Sequence, residues 1–283
     1  MSEWRVGDLK VVKVLEHEDL WQGRIIAPMM TAENVLKEAD WLVPRFANEQ
    51  GRLRLSFHSL IVESGGLRIL IDTCVGDDKQ RNFPRWNLRH SSYLSDLEKA
   101  GYPRESIDRV VCTHLHIDHV GWNAMLQNGS WVPTFPNARY LLSRREWDHW
   151  SQSQDEEIQR IMDDSVRPVI DAGLVDWIEG GHALTKEVAT EFTPGHSPGH
   201  MAVRIKSGGH EGVVTGDLIH HPIQCGHPEW NSAVDFDPDQ ACATRRGFLA
   251  RCADESTTFF GTHFASPTAG RIVKRGDAFR FEG

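Results

Sequence analysis

The sequence predicts an α+β fold, a layered sandwich of sheets and helices, on three observations. Strand-like alternation of apolar residues dominates the early and late parts of the chain, and helix-like spacing falls between them. The order of segments is not a regular strand–helix repeat. No internal repeat, low-complexity stretch or Pro/Gly/Ser linker interrupts residues 1–283, so the chain reads as a single domain.

In chain order, RLRLSFHSLIVESGGLRILIDT (Arg52 to Thr73) alternates on both sides of its Gly-Gly pair, the signature of a β-hairpin. A long polar loop follows, with Phe83 and Trp86 embedded in it. SYLSDLEKAGY predicts a short helix stopped at Gly101. SIDRVVCTH predicts a buried strand from Ile107 to Thr113. NARYLLS is a further strand, and SRREWDHW opens a helix. Ile158, Ile161, Met162 and Val166 recur at helical spacing, with Gly173 as the stop. The acidic QDEE before them suits a solvated helix start. EVATEFTPG, HMAVRIKSGG and HEGVVTGD predict three successive strands. DPDQACATRRGFLARCAD is a helix with an Asp-Pro start, and TTFFGTH a last short strand.

Composition narrows the function classes. Apolar residues make up 40% and charged residues 25%, ordinary for a soluble globular protein. No run of 18 apolar residues suggests a membrane span. The opening twenty residues have charges throughout and no apolar leader-like region, so a cytoplasmic location is expected. A net charge of −9 argues against a nucleic-acid partner. Cys74, Cys112, Cys225, Cys242 and Cys252 are scattered without a C-x-x-C pair, which indicates reduced thiols and no thiolate metal site. The expected partner is a small-molecule substrate, with a homodimer as the assembly to test. The chain holds 15 His and 10 Trp against 3 Tyr, a bias compatible with metal ligation and an aromatic pocket.

The residues that carry chemistry begin with THLHIDH, Thr113 to His119. A pattern H-x-H-x-D-H arises by chance in roughly three chains per thousand of this composition. If the preceding strand persists to His116, His114 and His116 point to one side, and Asp118 and His119 present from the following turn. Two imidazoles with an Asp-His pair beside them serve two adjacent cations better than one. A two-cation site needs more ligands. His196 in TPGHSPGH, Asp217 in TGD and His263 in GTH each lie just past a predicted strand, where a scaffold can deliver them to one edge.

THLHIDH, TPGHSPGH, TGD and GTH, in this order and with Asp72 upstream in LIDT, resemble the five motifs of the metallo-β-lactamase superfamily. The resemblance implies an αβ/βα sandwich with the site at one edge of two packed sheets. It implies that His114, His116 and His196 hold one divalent metal ion, that Asp118, His119 and His263 hold another, and that Asp217 bridges them. Zinc is the expected metal, with manganese, cobalt and iron as alternatives. Asp72 would orient the ligand loop without binding metal. Asp118 and Asp217 would be the catalytic carboxylates of a metal-assisted hydrolysis. His200 is read as a helper or a surface imidazole, and one of His220 and His221 as a pocket residue beside Asp217. Trp86, Trp122, Trp147 and Trp150 are the candidate aromatics of a substrate pocket.

Among branches, the 20 residues after His263 are too few for the helical domain of glyoxalase-II-like thioesterases. His116 stands where flavodiiron-type oxidoreductases have Glu. What remains resembles the lactonase and organophosphate-hydrolase branch. Acyl-homoserine lactonases commonly place a Tyr near the bridging metal, and Tyr93, Tyr102 and Tyr140 lie in no matching segment. The leading expectation is therefore a hydrolase of lactones or small carboxylic esters. β-Lactam or organophosphate triester hydrolysis, a mononuclear iron persulfide dioxygenase and a non-catalytic scaffold are the alternatives.

Overall fold

A computed structural model describes residues 2–283. Fifteen strands build two main sheets and one small hairpin: β1 (Ser2–Val6), β2 (Leu9–Trp21), β3 (Leu53–Ser64), β4 (Leu67–Ile71), β5 (Arg109–Val111), β6 (Ala124–Gln127), β7 (Ser130–Pro133), β8 (Arg139–Ser143), β9 (Val175–Ile178), β10 (Val188–Phe192), β11 (Met201–Ser207), β12 (His210–Val214), β13 (Thr258–Phe260), β14 (Ala269–Arg275) and β15 (Ala278–Glu282). The first sheet runs β1-β2-β3-β4-β5-β8-β9, and the second runs β10 to β15 in order. β6 and β7 pair by themselves.

The period-two alternation of the strands explains the layering. Val11, Leu60, Ile69, Val111 and Leu141 of the first sheet pack against Val203, Val214 and Phe260 of the second. Their neighbours Val12, Ile61, Leu70, Val110 and Leu142 point outward to Tyr93, Leu97, Val166 and Val169 of the covering helices. On the other side Ala202, Val213 and Phe259 face Phe248, Leu249 and Cys252 of the helix Pro238–Asp254. The result is helix–sheet–sheet–helix.

The β3–β4 hairpin forms as expected, turning through Gly65 and Gly66 at φ 60 and 79. The helix before β5 spans Tyr93–Lys99. Three expectations need correction. The strand into THLHIDH covers only Arg109–Val111, so His114 and His116 sit on a loop instead of a strand. The predicted helix up to Gly173 is broken: Glu156–Ile161 is α-helical, Met162–Val166 forms a π turn, and Arg167–Asp171 resumes the α-helix. Pro168 has no N–H to continue the first segment's ladder. TTFFGTH is not the last strand, because β14 and β15 follow it. The N-terminal β1–β2 hairpin is an unforeseen element.

β4 runs parallel to β5, and β12 parallel to β13, with Ile71 beside Val111 and Val214 beside Phe260. The C-terminal ends of these strands, and of β10, therefore open onto one edge. Asp72, the THLHIDH loop, His196, Asp217 and His263 all follow those ends. No helix among the described residues is long and apolar enough to cross a membrane.

Candidate metal centre

The edge gathers the predicted residues into two groups around Asp217. Ligand-capable atoms of His114, His116 and His196 lie within 4.8 Å of one another, as do those of Asp118, His119 and His263. His116 Nδ1 lies 3.0 Å from His196 Nε2. In the other group His119 Nε2 is 3.3 Å from His263 Nε2, and Asp118 Oδ2 is 3.5 Å from His263 Nε2. Asp217 reaches both groups: Oδ1 lies 3.0 Å from His263 Nε2, and Oδ2 lies 3.3 Å from His119 Nε2, 3.7 Å from His196 Nε2 and 3.9 Å from His114 Nε2.

Four of the five ligand-set imidazoles are held from behind by their other nitrogen, which fixes the ring and aims the free nitrogen at the centre. His114 Nδ1 pairs with Thr113 Oγ1 at 3.1 Å. His119 Nδ1 pairs with Asp72 Oδ2 at 3.0 Å, His196 Nδ1 with Asp235 Oδ1 at 2.8 Å, and His263 Nδ1 with the Ser56 carbonyl at 3.2 Å. Asp72 also accepts the Thr113 N–H at 2.7 Å and hydroxyl at 2.9 Å. It orients the ligand loop from a left-handed backbone at φ 55. His200 is no surface imidazole. It is fully buried, and its Nε2 accepts the Asp217 N–H at 2.9 Å while Nδ1 bonds Thr193. Gly216 permits this approach: at φ +55, a Cβ there would lie 2.4 Å from His200 Nε2.

Charge is divided between the two groups. Burial lowers the pKa of His114 and His116, and brings His196 down to about 3, so these rings are neutral with lone pairs to offer. Burial opposes charge on His119 and His263 too, but Asp217, Asp118 and, for His119, Asp72 outweigh it and raise both. Burial works against ionisation of Asp217, yet His119, His263 and His220 hold its carboxyl well below the ordinary carboxylate range. The negative field that favours an imidazolium at His119 and His263 also favours a divalent cation between them. His114 Nε2 is buried with no hydrogen-bond partner, as a nitrogen awaiting a metal would be. The donor set, imidazole and carboxylate without thiolate, fits zinc or a neighbouring transition metal.

The centre forms the floor of a cavity of about 450 Å³. Trp21, Phe57, Phe83 and Trp86 make one wall, in mutual contact: Trp21 stacks on Phe83 at 5.0 Å, and Trp86 meets Phe57 edge-on at 5.5 Å. Leu115, Ile117, Trp150, Ile158, Ile161 and Met162 make the opposite wall. His116, Asp118, Asp217, His220 and His263 line the floor. His220 faces the cavity with Nε2 3.3 Å from Asp217 Oδ2, whereas His221 turns away to the Phe46 carbonyl at 2.8 Å.

Of the four predicted aromatics, Trp86 and Trp150 line the cavity. Trp122 and Trp147 do not. Trp122 is core, stacked on Tyr93 and donating to Glu16 at 2.7 Å. Glu16 points inward because β2 bulges against β3 between Leu15 and His17. Trp147 packs on Trp177 and under Arg167, against the core rather than the cavity. Sequence reasoning missed Trp21, Phe57 and Asp235. No spacing signal links them to the motifs. The acidic Asp235, followed by the helix start at Asp237, reads from sequence as loop polarity.

Comparison with known proteins agrees with this geometry. Residues 55–246 match the model of the metallo-beta-lactamase superfamily. An N-acyl homoserine lactonase of Bacillus cereus is 28% identical over 111 residues, 39% of this chain and 38% of that enzyme. The N-acyl homoserine lactonase AttM of Rhizobium radiobacter is 22% identical over 139 residues, 40% of this chain and 41% of that enzyme. The matched region thus spans well under half the length of these relatives. Among solved structures, AidC, a dizinc quorum-quenching lactonase in complex with a product, superposes with a TM-score of 0.82 at 23% identity, covering 99% of this chain and 96% of its own. The hydrolase AbOPH superposes at 0.80 with 24% identity, covering 99% and 95%.

Proposed function

Because the chain belongs to the metallo-beta-lactamase superfamily, we propose that it is a hydrolase using two divalent cations to open a lactone or another small, uncharged carboxylic ester. The observation that carries this reading is the pair of ligand groups meeting at Asp217 on the floor of an apolar cavity. The likeness to N-acyl homoserine lactonases supports the lactone class. In this reading His114 Nε2, His116 Nδ1 and His196 Nε2 would hold one cation, Asp118, His119 Nε2 and His263 Nε2 would hold the other, and Asp217 would serve both groups. Zinc is the favoured metal.

When bound, the cations supply Lewis-acid polarisation of the substrate carbonyl and make water nucleophilic near neutral pH. The rest falls to the chain. Asp118, partly open to the cavity with 12% of its side chain exposed, orients the attacking water and takes its proton. It returns that proton to the ester oxygen as the acyl–oxygen bond breaks. His220 offers a ring N–H to the carbonyl oxygen from beside Asp217. The aromatic walls hold the apolar part of the substrate and exclude bulk water.

The walls also select by charge. No Lys or Arg is among the side chains lining the cavity, and Asp155 and Glu157 stand among them. The carboxylate of a β-lactam finds no cationic side chain in these walls to anchor it, so a neutral lactone is favoured over it. A neutral phosphotriester meets the same condition and is the second reading. The test is side-by-side kinetics of the metal-replete protein on a lactone bearing an apolar acyl group, a phosphotriester and a cephalosporin. The lactone is expected to give the highest kcat/KM, and no turnover of any of the three above background refutes the reading. Elemental analysis is expected to give close to two metals per chain, and one iron per chain would indicate the persulfide dioxygenase instead.

A further inference from the structure

One buried carboxylate outside the proposed ligands touches both loops that carry the first group. Glu146, in the helix Arg144–Trp150, has no exposed surface. Its Oε2 accepts the Leu115 N–H at 3.1 Å, and its Oε1 accepts the Gly199 N–H at 2.6 Å. Leu115 lies between His114 and His116, and Gly199 lies three residues past His196. The approach is close enough to require glycine: a Cβ at Gly199 would sit 2.2 Å from Ser143 Oγ and 2.9 Å from Glu146 N. Glu146 Oε2 also accepts the Trp150 indole N–H at 2.8 Å. That indole stands edge-on to His116, ring centres 5.2 Å apart, and forms part of the cavity wall.

We propose that Glu146 is a positioning residue that staples the Leu115 and Gly199 loops, so that His114, His116 and His196 converge on one cation while Trp150 is held against His116. The inference rests on reading the two groups as metal sites. Three N–H donors converge on two oxygens, which satisfies a buried carboxylate through charge-assisted bonds. Glutamine has the same shape but must turn its NH2 toward one of those donors, so one loop is released. The second group does not depend on this staple. His119 and His263 are braced by Asp72 and by the Ser56 carbonyl. A merely structural role would weaken both groups together through global stability, whereas a staple weakens one.

The test is zinc titration of the purified metal-free protein against a chromogenic chelator, with circular dichroism to confirm folding. Wild-type protein is expected to bind two equivalents tightly. Glu146→Gln is expected to lose about 10- to 100-fold in affinity for one equivalent while the other stays within about threefold, the range typical when a ligand's supporting contact is removed. Gly199→Ala, which pushes the loop off Glu146 without altering any carboxylate, is expected to do the same. Trp150→Phe keeps both loops bonded and is expected to retain both equivalents. Adding His263→Ala to Glu146→Gln is expected to leave no tight equivalent, whereas adding His116→Ala leaves one. Wild-type affinity for both equivalents in Glu146→Gln and Gly199→Ala, or an equal loss of both, overturns the staple. A wild-type protein that takes up no zinc overturns the metal reading, and the staple with it.

Discussion

Asp164→Ala is expected to have a large effect on stability away from the candidate metal centre. The loop after β4 carries Phe83 and Trp86, and the broken helix carries Ile158, Ile161 and Met162, so opposite walls of the cavity belong to two separate segments. Asp164, in the π turn, joins them. Arg81 NH1 and NH2 donate to its two oxygens at 2.6 and 2.8 Å, and Lys79 Nζ donates to its carbonyl at 2.7 Å. Both cationic side chains have no exposed surface. Removing the carboxylate leaves two buried cations without their paired anion, a situation that costs about 3–5 kcal/mol. Lysine can lessen its share by losing a proton, since burial already brings Lys79 down to about 8. A guanidinium has no such escape. The expected loss is therefore about 3–5 kcal/mol, a fall in Tm of roughly 5–8 °C for a chain of this size. Urea denaturation of the metal-free variant at pH 7 measures it. The double variant Asp164→Leu/Arg81→Met is expected to recover more than half of the loss, because no guanidinium is then stranded. A loss below about 1 kcal/mol for Asp164→Ala would refute the reasoning, since the range for a broken buried pair would not apply.

The remaining expectations concern stability and substrate. Burial brings the Lys13 ammonium from its ordinary 10.5 down to about 8. The folded chain then sheds this proton before the unfolded one, so stability rises with pH between about 8 and 10.5. Lys13→Met should flatten that rise by up to ~1.4 kcal/mol per pH unit and stabilise the protein at pH 7 by at most about 3 kcal/mol; an unchanged slope in denaturation curves at pH 7.5 and 10 would count against it. Trp86→Ala should raise KM for lactones with apolar chains on the order of tenfold and leave kcat within a few-fold, read from initial rates. Stripping metal with a chelator should lower Tm and re-adding zinc should restore it, with about 4 kcal/mol gained when free zinc stands at about a thousand times Kd. Asp217→Asn should lose most of that gain, measured by thermal unfolding with and without zinc.

The centre was legible because its residues follow strand ends in a fixed order, and such ends point to one edge whatever the strand lengths. His114 and His116 converge although β5 stops at Val111, three residues before the first of them. The pocket was less legible, because nearness in sequence does not decide the side of the chain. Trp122 lies only three residues past His119, yet the turn at Gly121–Asn123 rotates it into the core. Trp21 and Phe57 come from β2 and β3, far from any motif, and reach the cavity through the pairing of those strands. β14 and β15 escaped notice because their Lys, Arg and Glu residues face solvent near the sheet edge, which interrupts the apolar pattern. Glu146 and Asp235 could not be told from surface acids, since burial and not spacing gives them their roles.

The floor and the walls of the cavity are held by different means. Every histidine of the two ligand groups but one has a partner behind it: Thr113, Asp72, Asp235 or the Ser56 carbonyl. His116 is the exception, with its Nδ1 turned to His196, and it is braced by the edge of Trp150. The far wall depends on aromatic contacts among Trp21, Phe57, Phe83 and Trp86, and on the Arg81–Asp164 pair. Hydrogen bonds of fixed length tolerate little displacement, whereas apolar packing accepts volume-conserving exchange at modest cost. Substitutions in the far wall can therefore change which apolar group is accepted while the floor keeps its geometry. Trp150, in the opposite wall, behaves differently, because the carboxylate that holds it also holds two loops of the floor. Selectivity altered through Phe83 or Trp86 should be separable from metal binding, and selectivity altered through Glu146 should not.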